Sequence, residues 1–466
     1  MSLSPTAVNR GRHGALPEHV TVFAIAAAVV YGWHAAASHL SLLTNAYDLS
    51  FFDYALWTTA HGRLGYVPFV GHSTFSEHCM PILLVLLPIY VLLQSPWTLI
   101  GIQVLTISVS SWVIGRIANL YLSRTSTNVI LLTAIIFSRK SYGAFTSVFY
   151  PECFQPLFVA GCVWAWLRSY KWMYWTCVLL LLATKEDAAI YLAMFGLVQW
   201  CVAGRVTRTT AFATVGVSAL WFIVAVGIVI PAMRRSDGLP GAKQFIEARY
   251  GNEHGLESHV LVSRILSKRS ASTCFNLLAT FGFLSLAAPE WLVIIAPGLL
   301  ANVAANPDTL QAAVAGHYYW PFFPWLALSA IVGASRLQRR YPTATKGWMY
   351  LLLLLVVVDS PIFPSVARFR IDPRARRVAE SLPKDVAGLT IGAQPNLVPH
   401  LPHSWSIRTI GRDPLAPEKY DLVLLTPVGD TWPFSVEQIN AKAAEYKARA
   451  DYESLSLGQL FSFRRR

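Results

Sequence analysis

Charge is scarce in this chain: Asp, Glu, Lys and Arg together make up 14% of its 466 residues, while 54% are hydrophobic. With a mean hydropathy of +0.45, a soluble domain clothed in water is excluded and a polytopic membrane protein is the class that remains. Acidic residues are the scarcer sign, 25 against 38 basic, for a formal charge of +13. No single basic patch interleaved with aromatics collects that excess. The Lys and Arg residues fall in short clusters between apolar runs, which argues against a nucleic-acid partner and for membrane topology. None of the six cysteines (Cys79, Cys153, Cys162, Cys177, Cys201, Cys274) forms a C-x-x-C pair, so neither a zinc site nor a dense disulfide framework is indicated. Most read as small buried apolar residues.

The apolar runs set the expected topology. Residues 1–19 are polar, with Arg10, Arg12 and His13, and precede a first span from Val20 to Leu40; arginine before the span predicts a cytoplasmic N-terminus. No small-residue cleavage site follows, so this run reads as a retained anchor. Ten further spans are expected: Trp97–Tyr121, Asn128–Phe145, Phe154–Leu167, Trp172–Thr184, Ala188–Val202, Ala211–Ile230, Phe275–Ala288, Trp291–Ala304, Tyr318–Val332 and Trp348–Val358. Inward ends carry Arg116, Arg124, Arg168, Lys171, Arg205, Arg208, Arg336, Arg339 and Arg340, as the positive-inside pattern requires. Ile82–Leu93 is shorter and reads as a juxtamembrane helix. Two long outer loops result, 41–96 and 233–271, the second rich in glycine (Gly238, Gly241, Gly251, Gly255) and suited to a mobile loop over a site. Beyond Pro361 the runs shorten to strand length: Gly388–Ala393, Ser404–Ile410, Tyr420–Thr426 and Leu455–Phe463, with a helical stretch Ser435–Ala450. Residues 361–466 therefore read as a small soluble α/β domain, without a G-x-G-x-x-G or P-loop, that serves as a lid or assembly module. The expected fold is an all-α polytopic membrane protein of about eleven transmembrane helices, the N-terminus cytoplasmic and the C-terminal α/β domain extracytoplasmic.

Polar chemistry concentrates in Asn45–Pro81, which keeps carboxylates, histidines and aromatics together in an otherwise apolar chain. From Asp48 to Ala60 the residues Leu49, Phe52, Leu56 and Ala60 recur at helical spacing, predicting an amphipathic helix that lies in the interface. Asp48 and Asp53 stand roughly 140° apart on that helix, so at most one points into a shared site. Asp48 also suits an N-cap. With the topology above, Asp48, Asp53, Glu77, His78, Glu152, Lys185, Glu186, Asp187 and His317 all fall on the extracytoplasmic side. Lys185, Glu186 and Asp187 interrupt an apolar stretch from Val178 to Val198, where ionisable groups are paired, cavity-facing or functional. One reading is a structural ion pair within the bundle; the other is a lysine that binds phosphate beside a carboxylate that positions a hydroxyl. His78 reads either as a hydrogen-bonded interface residue or, with Asp48 and Glu152, as part of a divalent-metal site. Cys79 and Cys153, beside His78 and Glu152, are placed where a disulfide is allowed.

The motifs YDLSFFDYALWTTAHG, FSEHCMPILLVLLPIY, YPECFQP, ATKEDAAIYLAMFGL and GHYYWPFFPWLAL, together with the C-terminal run from LPKDV through YDLVLLTP to FSFRR, resemble a bacterial membrane family, domain of unknown function 2079. That family is similar in layout to the GT-C glycosyltransferases, multi-span enzymes that use polyprenyl-phosphate sugars and carry an acidic residue in the first extracytoplasmic loop. The resemblance implies a glycosyltransferase of the bacterial inner membrane, with Asp48 at the first acidic position, His78 at the loop histidine and Glu186 at the acidic residue after lysine. With the residues read above, Asp48, Asp53 and Glu186 are expected to be catalytic, and His78, Glu152, Lys185, Asp187, His317 and Tyr318 to bind substrate. Its partners would be a lipid-linked sugar donor, membrane lipids and a glycan, lipid or protein acceptor; the sequence assigns no cofactor, a divalent metal ion being one candidate, with Asp48, His78 and Glu152 as its candidate ligands. One departure stands out: Tyr150 occupies the place before Pro151-Glu152 where a histidine is expected. The alternative class is a transporter or lipid flippase, which requires polar positions through the midplane rather than at one face.

Overall fold

The computed structural model describes residues 18–466 apart from 203–204, 242–245, 248, 252–254, 363–369, 384–385, 387 and 412–419. The arginines of the expected cytoplasmic tail, Arg10 and Arg12, and His13 lie outside the described residues. The chain is mostly helical. Its first nine α-helices are α1 (Glu18–Leu40), α2 (Leu49–Ala60), α3 (Ile82–Leu92), α4 (Pro96–Tyr121), α5 (Thr125–Phe137), α6 (Arg139–Phe145), α7 (Gln155–Arg168), α8 (Lys171–Leu182) and α9 (Ala188–Val202). Among the described residues four helices are long and apolar enough to cross a membrane: α1, α4, Arg208–Ser236 and Pro342–Asp359. Several of the expected spans are shorter or broken. The run 128–145 divides at Ser138, which is extended (φ −64°, ψ 156°), into α5 and α6. The run 275–288 ends its α-helix at Ala279, after which Gly282 and Phe283 both turn left-handed.

Close approach of backbones holds the bundle together. At Gly115 of α4 a Cβ would stand 2.7 Å from Val20 of α1, and Ser108 of α4 donates to the Ala24 carbonyl at 2.9 Å; small residues at such crossings are the usual device of membrane helices. The hydroxyls of Thr106, Ser110 and Ser111 in α4 donate to carbonyls four residues back, so they need no partner across the bundle. At the centre lies the helix Phe323–Arg340, buried on every face from Phe323 to Ser335, as an all-round apolar helix must be. Its Ser329 donates to the carbonyls of Ser285 and Ala288 at 3.0 and 3.1 Å.

The C-terminal sheet runs in the order β4 (Ser406–Thr409), β3 (Thr390–Ala393), β5 (Leu422–Leu425), β7 (Phe461–Arg465), β6 (Tyr452–Ser454). β3 is parallel to both β4 and β5, while β7 is antiparallel to β5 and β6. The helix Val436–Ala448 opens with a capping box of Ser435 and Gln438. Leu455–Phe463, expected as one strand, instead carries the turn between β6 and β7, closed by the bridge of Leu457 to Leu460.

This sheet rests on the first loop. Ala46 N–H donates to the Pro395 carbonyl at 2.9 Å, and Asp430 N–H to that of Leu42 at 2.8 Å. Helix α2 is the plate between the two bodies. Its Leu49, Phe52 and Leu56 belong to the core of the bundle, whereas Tyr54 and Ala55 belong to the core that includes Ile391, Ile407 and Leu422 of the sheet. The interfacial helix expected from the sequence is therefore covered on both sides. It is α3 that shows apolar surface outward, with Val85, Ile89 and Leu92 53%, 51% and 81% exposed.

Candidate functional site

Four loop segments meet at one end of the bundle: the first loop with its small hairpin of β1 (Tyr66–Val67) and β2 (His72–Ser73), the turn Pro151–Phe154, the triplet Lys185–Asp187, and the turn Gly316–Tyr319. They enclose a cavity of about 490 Å³. Its lining is aromatic at Tyr47, Phe51, Phe52, Phe69, Tyr150 and Tyr318 and polar at His72, Glu77, His78, Glu152, Lys185, Arg249 and His317.

The triplet is not embedded in a span. It is the turn between α8 and α9, where the N–H groups of Ala188 and Ile190 return to the carbonyls of Lys185 and Asp187 at 3.2 and 3.0 Å. Pro151 starts the other turn, at its first position. Together they bring Lys185 Nζ to 2.6 Å from Glu152 Oε1, with the two side chains 10% and 5% exposed. Burial works against the charge on each, but attraction wins: Glu152, Asp187 and Glu186 hold Lys185 protonated, and Lys185 holds Glu152 below the usual carboxylate value. The second oxygen of Glu152 is buried with no hydrogen-bond partner among the described residues.

Two further carboxylates stand one layer back, each behind a group that lines the cavity. Glu186 accepts from His78 Nδ1 at 2.7 Å and from the Cys79 N–H at 2.9 Å; against the cost of burial, His78 and Lys185 bring it down to about 2. Asp48 accepts from the Tyr150 hydroxyl. Burial pushes the Asp48 carboxyl up, opposed by hydrogen bonds from Tyr150 and Asn45. Asp48 makes no capping hydrogen bond to α2, so the cap expected from the sequence is not its role. Tyr150 in turn stacks on His317, with ring centroids 3.9 Å apart and planes 12° apart. Burial takes the His317 imidazole down to about 4, so it is neutral at pH 7 and supplies no cation. Glu77 pairs with His72 at 2.8 Å; burial raises its carboxyl, and the bond from His72 with the charge of His78 more than reverses this.

Of the residues singled out in the sequence, Glu77, His78, Glu152, Lys185, His317 and Tyr318 line the cavity, and Asp48 and Glu186 support it. Asp187 stands behind the wall; burial, with Glu186 and Glu152 close by, pushes its carboxyl up to about 6 despite Lys185. Asp53 is elsewhere. It is 1% exposed, on the side of α2 away from Asp48, where it accepts from the Tyr90 hydroxyl at 2.6 Å and meets His403 Nε2 at 2.5 Å. The two aspartates take different partners, Asp48 at the non-helical position before α2 meeting Tyr150 and Asp53 within α2 meeting Tyr90 and His403. Cys79 and Cys153 are both buried and free, not joined. Arg139 and Lys140, also cations in this half of the chain, line a different cavity.

Sequence reasoning passed over Tyr150, Arg249 and the aromatic lining. Tyr150 was visible only as a departure from an expected histidine, and Arg249 only as one of many charges in the loop 233–271. As to a metal, no three His, Cys, Asp or Glu side chains among the described residues are grouped to hold one. Asp48, His78 and Glu152 are committed to Tyr150, Glu186 and Lys185, three separate pairs.

Apolar helices of spanning length, with a charged, aromatic-lined cavity at one end, define a helical membrane protein. The chain belongs to the family described as predicted membrane protein, domain of unknown function 2079 (DUF2079), whose family model matches residues 38–456. No curated protein and no solved structure is matched by the chain.

Proposed function

We propose that the protein transfers a glycosyl group from a polyprenyl-phosphate donor to an acceptor outside the cytoplasmic membrane of a bacterium. The observation that carries this reading is the lining of the 490 Å³ cavity: cations Lys185 and Arg249 and carboxylates Glu77 and Glu152 line it together with six aromatic rings. Cations suit the phosphate that departs, and aromatic faces suit the apolar faces of a sugar ring. Met80 lines the cavity and leads directly into α3, whose exposed apolar face gives a prenyl chain a path into lipid.

The proton of the attacking hydroxyl passes to a group at the cavity wall. His78, oriented by Glu186 through Nδ1, fits the pattern of a base held by a carboxylate, and Asp48 acts through Tyr150 by fixing the phenol against His317. No step is routed through a metal. Near the middle of α4, Thr106, Ser110 and Ser111 bond to carbonyls of their own helix and Ser108 to a carbonyl of α1; polar groups satisfied in this way favour this reading over a transport pathway. The topology that goes with it has eleven crossings, shorter helices completing those that the four long ones begin, with the cavity and C-terminal domain on the outer side.

The test is donor binding and transfer by the purified protein and its Lys185→Met variant. Wild-type protein that neither binds polyprenyl-phosphate sugars nor transfers from them removes the proposal.

A further inference from the structure

A second cavity, of about 430 Å³, opens where α6 meets the helices Lys268–Ala279 and Pro342–Asp359, and it shares no lining residue with the first. Its two ends differ in chemistry. Leu352, Leu355 and Val356 form one end, on a helix of spanning length whose neighbouring Leu354 and Val358 are 57% and 76% exposed. The other end holds Arg139, Lys140 and Asp359.

Arg139 is engaged by Asp359, with Nε and Nη2 at 2.9 and 2.8 Å from the same carboxylate oxygen. Lys140 has no carboxylate partner among the described residues. Its Nζ donates to the carbonyls of Ala313 and Val314 at 2.8 and 3.0 Å, and these dipoles orient the ammonium without neutralising it. One of the three ammonium protons has no acceptor among the described residues, and the polar end carries one more cation than carboxylate. An excess cation beside a cavity that runs onto lipid-facing apolar surface calls for an anion that carries a hydrocarbon chain.

We propose that this cavity binds the phosphate headgroup of an anionic membrane lipid, its phosphate on Lys140 and its chain along Leu352, Leu355 and Val356. The inference is independent of the glycosyltransferase reading, since no residue is shared. A phosphate could also arrive from solution, so the experiment separates the two sources.

The full-length protein, purified in neutral detergent, is titrated with phosphatidylglycerol, phosphatidylcholine and inorganic phosphate, with native mass spectrometry and thermal melting as readouts. Phosphatidylglycerol is expected to bind and raise the melting temperature, and the other two to do neither. Lys140→Gln keeps a donor for the two carbonyls but removes the charge; it should weaken phosphatidylglycerol binding about tenfold or more, the scale of one charge-assisted hydrogen bond. Lys140→Arg should retain it. Asn276→Asp, at an exposed cavity-lining position, cancels the excess charge without touching the lysine and should weaken binding in the same direction, which covers the case in which Lys140→Gln fails to fold. Undiminished phosphatidylglycerol binding in Asn276→Asp and in folded Lys140→Gln, or equal binding of phosphatidylcholine, overturns the proposal. Competition by inorganic phosphate that depends on Lys140 overturns the lipid and leaves a soluble anion in its place.

Discussion

Single side chains in this protein divide by the direction in which their partners lie. Asp48 faces Tyr150 and through it the cavity; Asp53, five positions on, faces Tyr90 and His403. Asp48→Asn makes the charge-assisted hydrogen bond from Tyr150 a neutral one and should therefore lower turnover about tenfold, with little change in melting temperature, since no helix cap is lost. Asp53→Asn should do the reverse, costing roughly 1–3 kcal/mol through imperfectly satisfied buried partners while turnover per folded molecule is kept. Paired melting and transfer assays read both, and full activity in Asp48→Asn would detach the Tyr150–His317 stack from catalysis. Lys185 and Glu152 form a buried pair, so Lys185→Met alone strands a carboxylate and should cost about 3–5 kcal/mol. Adding Glu152→Gln should return most of that stability but not donor binding. If the double variant stays as unstable as the single one, the pair is not what Lys185 contributes to the fold.

At the scale of elements, the docking of the C-terminal sheet on the first loop determines what α2 does. Gly429 is essential to that contact: its φ is +83°, and a Cβ there would stand 2.3 Å from the Leu42 carbonyl oxygen, which also accepts the Asp430 N–H. Gly429→Ala should loosen residues 390–466 from the first loop, seen as faster amide exchange in α2 with the bundle unchanged. Acid should act on the same contact. His400 stacks on His39 with ring centroids 4.4 Å apart, and burial takes its imidazole from 6.5 down to about 4. Between those values the unfolded chain binds the extra proton, so stability falls as the pH drops from 6.5 towards 4. His400→Phe should flatten that part of the stability profile; an unchanged slope assigns the acid sensitivity to other groups, His317 first.

Most of these elements could be read from local pattern. The boundaries of α2, α3, α7, α8 and α9, and those of β3, β4 and β5, lie within a few residues of the runs that announce them, because periodicity and length are local properties. The burial of α2 could not be read this way, since the residues that cover its polar side come from positions 391–424, more than three hundred residues along the chain. Asp53 was ambiguous for the same reason, its partner His403 being equally distant. The triplet Lys185–Asp187 falls between the expected spans Trp172–Thr184 and Ala188–Val202, and it is the turn between α8 and α9; the partner of Lys185, Glu152, lies 33 residues away and local pattern does not reveal it.

For the whole molecule, the polar cavity gathers at one end of an apolar bundle, and the proposed reading puts that end outside and the arginine-bearing end in the cytoplasm. Reporter fusions after Arg124, Arg208 and Arg340 should read cytoplasmic, and those after Arg249 and at the C-terminus extracytoplasmic. A cytoplasmic C-terminus would put the cavity on the wrong side for a polyprenyl-linked donor. The most direct measurement is transfer of labelled sugar from polyprenyl-phosphate donors by protein in proteoliposomes, comparing wild type with the Lys185→Met, Glu152→Gln double variant. The account predicts transfer by the wild type and its loss in the double variant, which melts close to the wild type. A wild type that transfers nothing from such donors, or a double variant that transfers at the wild-type rate, contradicts it.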